Sequence, residues 1–300
     1  MEDKSMINPT LSRRNFLITA NAAAVTVAAS ALPTQAASDP TYDARIADFT
    51  LPKFSCDDSL VKIQEKNELV LCTSNDWPYA FVDTKSGEFK GIEADIISRI
   101  AKVLNISKIK VETVPFDGMI PGLLDGRFDM IGDSIHYTLK RAKVIDFSYP
   151  TYFYADGLVV KKGSDSASAK SLQDLSGKSC GALLGTNYAE EIQKAKSVEF
   201  RGYKTWPEMA IDIQNGRLDS ALHDQPIVAA SVGEHPEWNL QMVEGYVPFQ
   251  RKNPAGYSVY GFRQADVQLR SGFDAAIRWL QITGEMSNIL KTWGLGELNN

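Results

Sequence analysis

Several places in the chain carry side chains able to hold a small charged molecule. Arg141, closing Thr138-Leu-Lys-Arg141, offers a planar fork of N–H donors that matches a carboxylate with two parallel hydrogen bonds. Asp224 follows an apolar run, 218–222, where a carboxylate is expensive unless something compensates it. A ligand ammonium would do so, and so would the start of a helix opening at Pro226. Gly185-Thr186-Asn187 reads as a turn opening a helix, where backbone N–H groups gather as an anion site. Trp77 and Phe116 are aromatics at strand-to-helix loops, suited to pack on a carbon chain. A surface Arg141 and structural aromatics are the competing readings, and spacing alone does not separate them. Taken together, a guanidinium, an anion nest, a carboxylate and aromatic walls suit a zwitterion, an α-amino acid.

An internal repeat indicates how these residues meet. Phe116-Asp-Gly-Met-Ile-Pro-Gly-Leu-Leu-Asp-Gly-Arg-Phe-Asp129 and Trp206-Pro-Glu-Met-Ala-Ile-Asp-Ile-Gln-Asn-Gly-Arg-Leu-Asp219 align without a gap, ninety positions apart. Each predicts a helix stopped at Gly126 or Gly216, because glycine turns left-handed without a Cβ clash. A short buried strand, 128–132 or 218–222, follows. Turn chemistry could coincide by chance, but the shared register favours duplication. Ligands of open α/β sheets bind outside the carboxyl ends of strands. Asp133-Ser134-Ile135-His136 and His223-Asp224, expected just past the two strands, therefore mark the site.

The rest of the chain alternates strand and helix. Positions 92–104 form an amphipathic helix, with Ile96, Ile97, Ile100, Val103 and Leu104 on one face. The pattern restarts at Leu172, and two striped helices close the chain. Such alternation predicts parallel-rich α/β sheets in two lobes: 38–156, then 157–249, with 250–300 returning to the first. Strand-like crossings near 154–158 and 247–253 would form the hinge, and the ligand cleft would lie between the lobes.

Residues 1–37 read as a twin-arginine signal peptide. Ser12-Arg13-Arg14-Asn15-Phe16-Leu17 precedes an apolar stretch, and Thr34-Gln35-Ala36 offers small residues for cleavage near Ala36. Thr19, Asn21, Thr26 and Ser30 interrupt that stretch, which is shorter than the ~20 strongly apolar residues of a membrane span. The expectation is an exported, periplasmic, monomeric protein. The net charge of −5 argues against nucleic acid or an anionic membrane as partner. Three histidines lack metal-ligand spacing, so neither metal nor cofactor is expected. Three cysteines, an odd number, read as free thiols, with Cys72 and Cys180 in strand patterns.

At this point the chain resembles the extracellular solute-binding proteins of amino-acid ABC transporters, of the type II periplasmic-binding fold. The stretches that carry the likeness are Leu69-Val-Leu-Cys-Thr-Ser, Gly91-Ile-Glu-Ala-Asp95, Phe116-Asp-Gly-Met-Ile-Pro-Gly-Leu, Thr138-Leu-Lys-Arg-Ala-Lys-Val-Ile-Asp-Phe-Ser148, Leu184-Gly-Thr-Asn187 and Leu222-His-Asp-Gln-Pro226. The resemblance implies an α/β protein of two lobes joined by two hinge strands, and a membrane permease as partner. It implies that Arg141 and the Thr186 region hold the ligand carboxylate and Asp224 its ammonium. Trp77 and Phe116 would sandwich the side chain, with Ser74 and Leu183 at its far end. Thr138, Asn187 and His136 complete the expected ligand-binding positions.

The chain also departs from the family pattern. Ser74 stands where members for basic or amide side chains often carry an acid, and Leu183 where they carry a polar residue, so a neutral ligand side chain is expected. His136 replaces a small residue; it could shrink the pocket, bond the carboxylate, make affinity depend on pH, or merely fill space against Tyr137. Asp133-Ser134 and Leu139-Lys140 differ as well. The rival reading is an exported cyclohexadienyl or arogenate dehydratase on the same fold, with His136, His223 or Glu190 as general acid. The clamp of Arg141 and Asp224 favours binding without catalysis.

Overall fold

Strands β1 (Glu68–Thr73), β2 (Lys108–Thr113), β3 (Met130–His136) and β4 (Asp146–Phe147) build most of one five-stranded sheet. A second sheet follows from β5 (Asp156–Lys161), β6 (Ser179–Leu183), β7 (Glu199–Tyr203), β8 (Ser220–Asp224) and β9 (Leu240–Met242). Strand β10 (Ser258–Phe262) then returns to the first. This computed structural model describes residues 16–17, 26–27, 49–52, 56–249 and 256–295. The expected signal segment and its cleavage point lie outside the described residues, save Phe16–Leu17 and Thr26–Val27, which pair as short antiparallel strands.

The strand orders are β2-β1-β3-β10-β4 and β7-β6-β8-β5-β9. In each sheet the second strand is flanked by two parallel neighbours, and the fourth runs antiparallel to the third. Position for position, the two sheets are the same construction.

The sequence repeat is the reason. Gly126 and Gly216 have φ of +74° and +71° and donate to the carbonyls of Leu123 and Ile213 at 3.1 and 3.0 Å. Arg127 and Arg217 donate their backbone N–H to Gly122 and Asp212 at 3.0 and 2.9 Å. The closing aspartates act alike. Asp129 accepts from the Val70 amide and Asp219 from the Ser179 amide, each at 2.8 Å, on equivalent strands. Each block then leads into a central strand, β3 or β8.

These strands begin two residues later than the sequence suggests and run further, so Asp133-Ser134-Ile135-His136 and His223-Asp224 lie within them, not after them. Every residue of both strands is buried. The strands reach His136 and Asp224 because β10 and β5 pair with their ends, as in Ser258–His136 and Asp156–Asp224, while Asp133 and Ser134 lie where the register with β10 shifts.

Helices α1 (Ser59–Lys66), α2 (Ile92–Val103), α3 (Met119–Leu124), α4 (Asn187–Lys194), α5 (Trp206–Gln214), α6 (Gln225–Glu234), α7 (Val267–Ile282) and α8 (Glu285–Thr292) accompany the sheets. The apolar stripe of α2 is buried at Ile96, Ile97, Ile100 and Val103, as its 3.6-residue spacing predicts. Its first amides, from Ile92 and Glu93, are satisfied by the carbonyls of Pro78 and Tyr79 at 3.0 and 2.9 Å. Only glycine fits before that helix: Gly91 has φ +120°, and a Cβ there would lie 2.2 Å from the Tyr79 carbonyl oxygen.

Two segments cross between the sheets side by side. Phe153 bridges Tyr257, Tyr154 N–H donates to Gly256 at 3.0 Å, and Ser258 N–H donates to Tyr152 at 2.7 Å. The buried Asp156 carboxylate accepts from the Tyr246 hydroxyl at 2.9 Å and ties β5 to the returning segment. Of the expected second crossing, 247–253, residues 250–253 lie outside the described ones.

Candidate ligand-binding site

A cleft opens between the carboxyl ends of β1 and β3 on one side and of β6 and β8 on the other, lined by residues of both sheets. Its cation is Arg141. The Arg141–Lys143 segment is a single 3₁₀ turn, and the Thr138 hydroxyl oxygen accepts the Arg141 amide at 3.1 Å. The guanidinium is buried, 8 % exposed, and lies over the Phe116 ring at 5.2 Å. It donates to the His136 carbonyl at 2.7 Å and, across the cleft, to the Gly185 carbonyl at 3.1 Å. Among the described residues no carboxylate pairs with it. Carbonyls and a ring face compensate a buried charge only partly.

Its counterpart is Asp224, the last residue of β8, also 8 % exposed. The Tyr188 hydroxyl of α4 donates to its carboxylate, and no cation pairs with it among the described residues. Burial raises its carboxyl well above the usual range; the Tyr188 bond opposes this, and Asp76 and Asp133 add to it. A buried guanidinium and a buried carboxyl group thus line one cleft without pairing with each other.

Thr186 caps α4. Its hydroxyl donates to the Leu183 carbonyl at 2.6 Å and accepts the Ala189 amide at 3.2 Å. The donors left for an anion are the first backbone amides of α4, at Asn187 and Tyr188, which helix geometry leaves without intrahelical partners. Ser74, Phe116, His136, Arg141, Leu183, Thr186, Asn187 and Asp224 all line the cleft. Thr138 instead borders an adjoining cavity, where it positions Arg141.

Trp77 is not part of the cleft wall; Tyr79 is. The amides of α2 pin the backbone at Pro78 and Tyr79, and the Tyr79 ring turns inward, 1 % exposed and 5.2 Å from the Tyr154 ring. Trp77 stays half-buried. His136 also departs from expectation. It stacks on Tyr154 at 4.1 Å, not on Tyr137, which packs against Phe147. Burial, and then Arg141, push its pKa down to about 3, so it does not titrate near neutrality.

Sequence reasoning missed Tyr79, Tyr154, Tyr188 and Asp76. Asp76 had a legible signal, since it lies two residues past Ser74 at the carboxyl end of β1. It is pushed up to about 7 by desolvation and by the charge of Asp133. Asp133 is 2 % exposed and accepts from the Ser74 amide at 2.7 Å and the Ser134 amide at 2.8 Å.

Residues 69–296 match the profile of bacterial extracellular solute-binding proteins, family 3. The chain belongs to that family. This solute-binding protein is 29% identical over 251 residues to the L-cystine-binding protein TcyJ of Escherichia coli (strain K12), covering 83% of this chain and 91% of that protein. It is 30% identical over 221 residues to the lysine/arginine/ornithine-binding periplasmic protein of the same strain, covering 72% and 83%. Among solved structures, a mutant of ArgBP from T. maritima superposes with a TM-score of 0.70 at 25% identity, covering 78% of this chain and 98% of that one. An ancestral arginine-binding protein bound to glutamine gives 0.68 at 28%, covering 76% and 97%. These relatives are named for binding amino acids, which weighs against the dehydratase reading. Among the described residues of this solute-binding protein, no helix is long and apolar enough to cross a membrane.

The two sides of the cleft touch at its mouth. Lys140 meets Glu190 at 2.5 Å on the surface. Gly185, φ +80°, lies so close to Asp117 that a Cβ would stand 3.0 Å from its Cα. The cavity left within the cleft is only about 20 Å³. A ligand of amino-acid size enters this solute-binding protein only if the sides part or wall side chains such as Tyr188 swing away.

Proposed function

We propose that the protein captures a free α-amino acid between its two lobes and delivers it to the membrane permease of an ABC importer. The observation that carries this reading is the buried guanidinium of Arg141 and the buried carboxylate of Asp224, which line one cleft without pairing. A zwitterion satisfies both at once: its carboxylate takes the guanidinium fork and the first amides of α4, and its ammonium takes Asp224 in place of the Tyr188 hydroxyl. The hydrogen-bonded crossings at 152–154 and 256–258 supply a hinge, and closure buries the ligand. Export on a twin-arginine signal, with release near Ala36, belongs to the same proposal. Relatives named for cystine and for lysine, arginine and ornithine support amino acids as the ligand class. Ser74 and Leu183 bring no formal charge, the ground for expecting a neutral side chain; the carboxylates gathered around Ser74 argue the other way.

The test is thermal unfolding of the chain lacking residues 1–37 against the twenty L-amino acids, with prephenate and arogenate added. A ligand at a hundred times its dissociation constant stabilises by about 2.7 kcal/mol, enough to move the midpoint by several degrees. The expected result is a shift with one or a few amino acids that disappears in Arg141→Ala and Asp224→Asn. No shift with any amino acid, or turnover of prephenate or arogenate, overturns the proposal.

A further inference from the structure

A second cavity adjoins the cleft, and the two share Phe116, Arg141 and Asn187 as wall residues. It encloses about 240 Å³, against about 20 Å³ in the cleft. Its wall is mainly apolar. Met119 and Ile120 come from α3, Ile131 and Ile135 from β3, and Phe116 and Val144 from the turns beside them. In another protein an apolar cavity of about 150 Å³ already takes up benzene, so a ring or a branched carbon chain fits here. Asp117, Lys140 and Val144, which also line it, are exposed. The cavity can therefore be reached while the two sides of the cleft stay in contact.

Its charges say which small molecule it suits. Four charged side chains line it. Lys140 and Glu190 pair with each other at 2.5 Å, and Asp117 lies in water. Arg141 is the one buried charge of the wall. Its side chain has five N–H donors, and among the described residues they reach two acceptors, the carbonyls of His136 and Gly185. An anion is what this guanidinium lacks. The cleft adds Asp224 as a partner for an ammonium, whereas no buried carboxylate lines the second cavity. A ligand for that cavity needs an apolar body and one negative charge, and has no use for an amino group.

We infer that this cavity is a second binding site, for an apolar monocarboxylic acid without an amino group, whose carbon body lies against Ile120, Ile131, Ile135 and Val144 and whose carboxylate takes Arg141. One guanidinium cannot neutralise two carboxylates at once. Such an acid therefore competes with an amino acid in the cleft, although most of its contacts lie outside it. The competition, but not the site itself, rests on the amino-acid reading proposed above.

The test is titration calorimetry on the chain lacking residues 1–37 with isocaproate and hydrocinnamate, the amino-free counterparts of leucine and phenylalanine, each compared with its amide. The amide keeps the carbon body and removes the charge. At least one acid is expected to bind, and about tenfold tighter than its amide or better. Ile120→Trp fills the cavity and Val144→Asp sets a like charge beside the carboxylate, so each should weaken acid binding by about tenfold or more. Neither residue lines the cleft, so both variants should bind the amino acid that stabilises the wild type as the wild type does. Val144 is 45 % exposed, and its variant gives an independent reading if Ile120→Trp fails to fold. In the wild type, added acid should lower the apparent affinity for that amino acid. No binding of either acid, amides that bind as well as the acids, or acid affinity unmoved in the folded variants overturns the inference and leaves amino-acid capture standing. Amino-acid affinity indifferent to bound acid overturns the shared guanidinium. If no amino acid binds, the proposed function fails, and the acid titrations decide this site by themselves.

Discussion

Gly185→Ala separates the energetics of closure from those of folding. Gly185 sits at φ +80°, where an L side chain costs roughly 1–2 kcal/mol, and that cost applies however the two sides of the cleft are placed. The second penalty is different. The new Cβ would lie 3.0 Å from Asp117 Cα and 3.1 Å from its Cβ, atoms that belong to the opposite side. Overpacking of this kind costs about 1–3 kcal/mol, and it arises only when the cleft is shut. The substitution should therefore weaken ligand binding by roughly 5- to 150-fold, in addition to lowering stability. Gly216→Ala is the control, because it shares a φ of +71° but has nothing within 4 Å of the added carbon. Calorimetric titration of both variants with whichever amino acid stabilises the wild type gives the comparison. Both should unfold at lower temperature, and only Gly185→Ala should lose affinity. Asp117→Gly, added to it, removes one of the two crowded atoms and should restore part of the loss. Unchanged affinity in Gly185→Ala, or an equal loss in Gly216→Ala, would refute the reasoning.

Other consequences are open to simple assays. Tyr188→Phe removes the hydroxyl that serves Asp224, so the ligand-free protein should lose about 1–3 kcal/mol while the ligand-induced rise in melting temperature grows; a smaller rise counts against an ammonium at Asp224. Glu93 accepts from Tyr152, Tyr260 and Ser258 inside the first sheet's core, and burial raises its pKa from the ordinary 4.5 to about 7. An acid whose pKa is raised on folding stabilises at low pH, so wild type should lose stability relative to Glu93→Gln as pH rises from about 4.5 through about 7, with no further change above. Denaturant titrations across that range would show it, and a constant difference would refute it. Of the free thiols, Cys56 is exposed and Cys72 and Cys180 are buried, with Cys180 pushed up to about 12. A thiol reagent should label Cys56 alone in the native protein and all three after unfolding, and native labelling of Cys180 would contradict the packing.

Much of this architecture was legible because the chain states it twice. The left-handed glycines and the closing aspartates of the two blocks do the same jobs in both sheets, so repeat register translated directly into strand position. The extents of β3 and β8 were harder to read. Polar residues after an apolar run look like the start of a loop, yet here a neighbouring strand keeps His136 and His223 in the ladder. Arg141 and Asp224 were legible as charges in costly places. The tyrosines were not, because a tyrosine in a core and one lining a cleft are spelled alike. What turns Tyr79 inward and leaves Trp77 aside is the docking of α2 onto two carbonyls, a contact that local sequence pattern does not show.

The position of β10 also governs the order in which the molecule can be assembled. His136 must wait for Ser258 to complete its side of the ladder, whereas the second sheet has all its strands once Met242 has been made. On the ribosome the later-starting half is therefore the first able to finish, and the earlier half stays an open template until β10 has been made. An export route that accepts only finished, folded chains, as the proposed twin-arginine one does, spares such a protein the hazard of crossing with an unpaired strand edge.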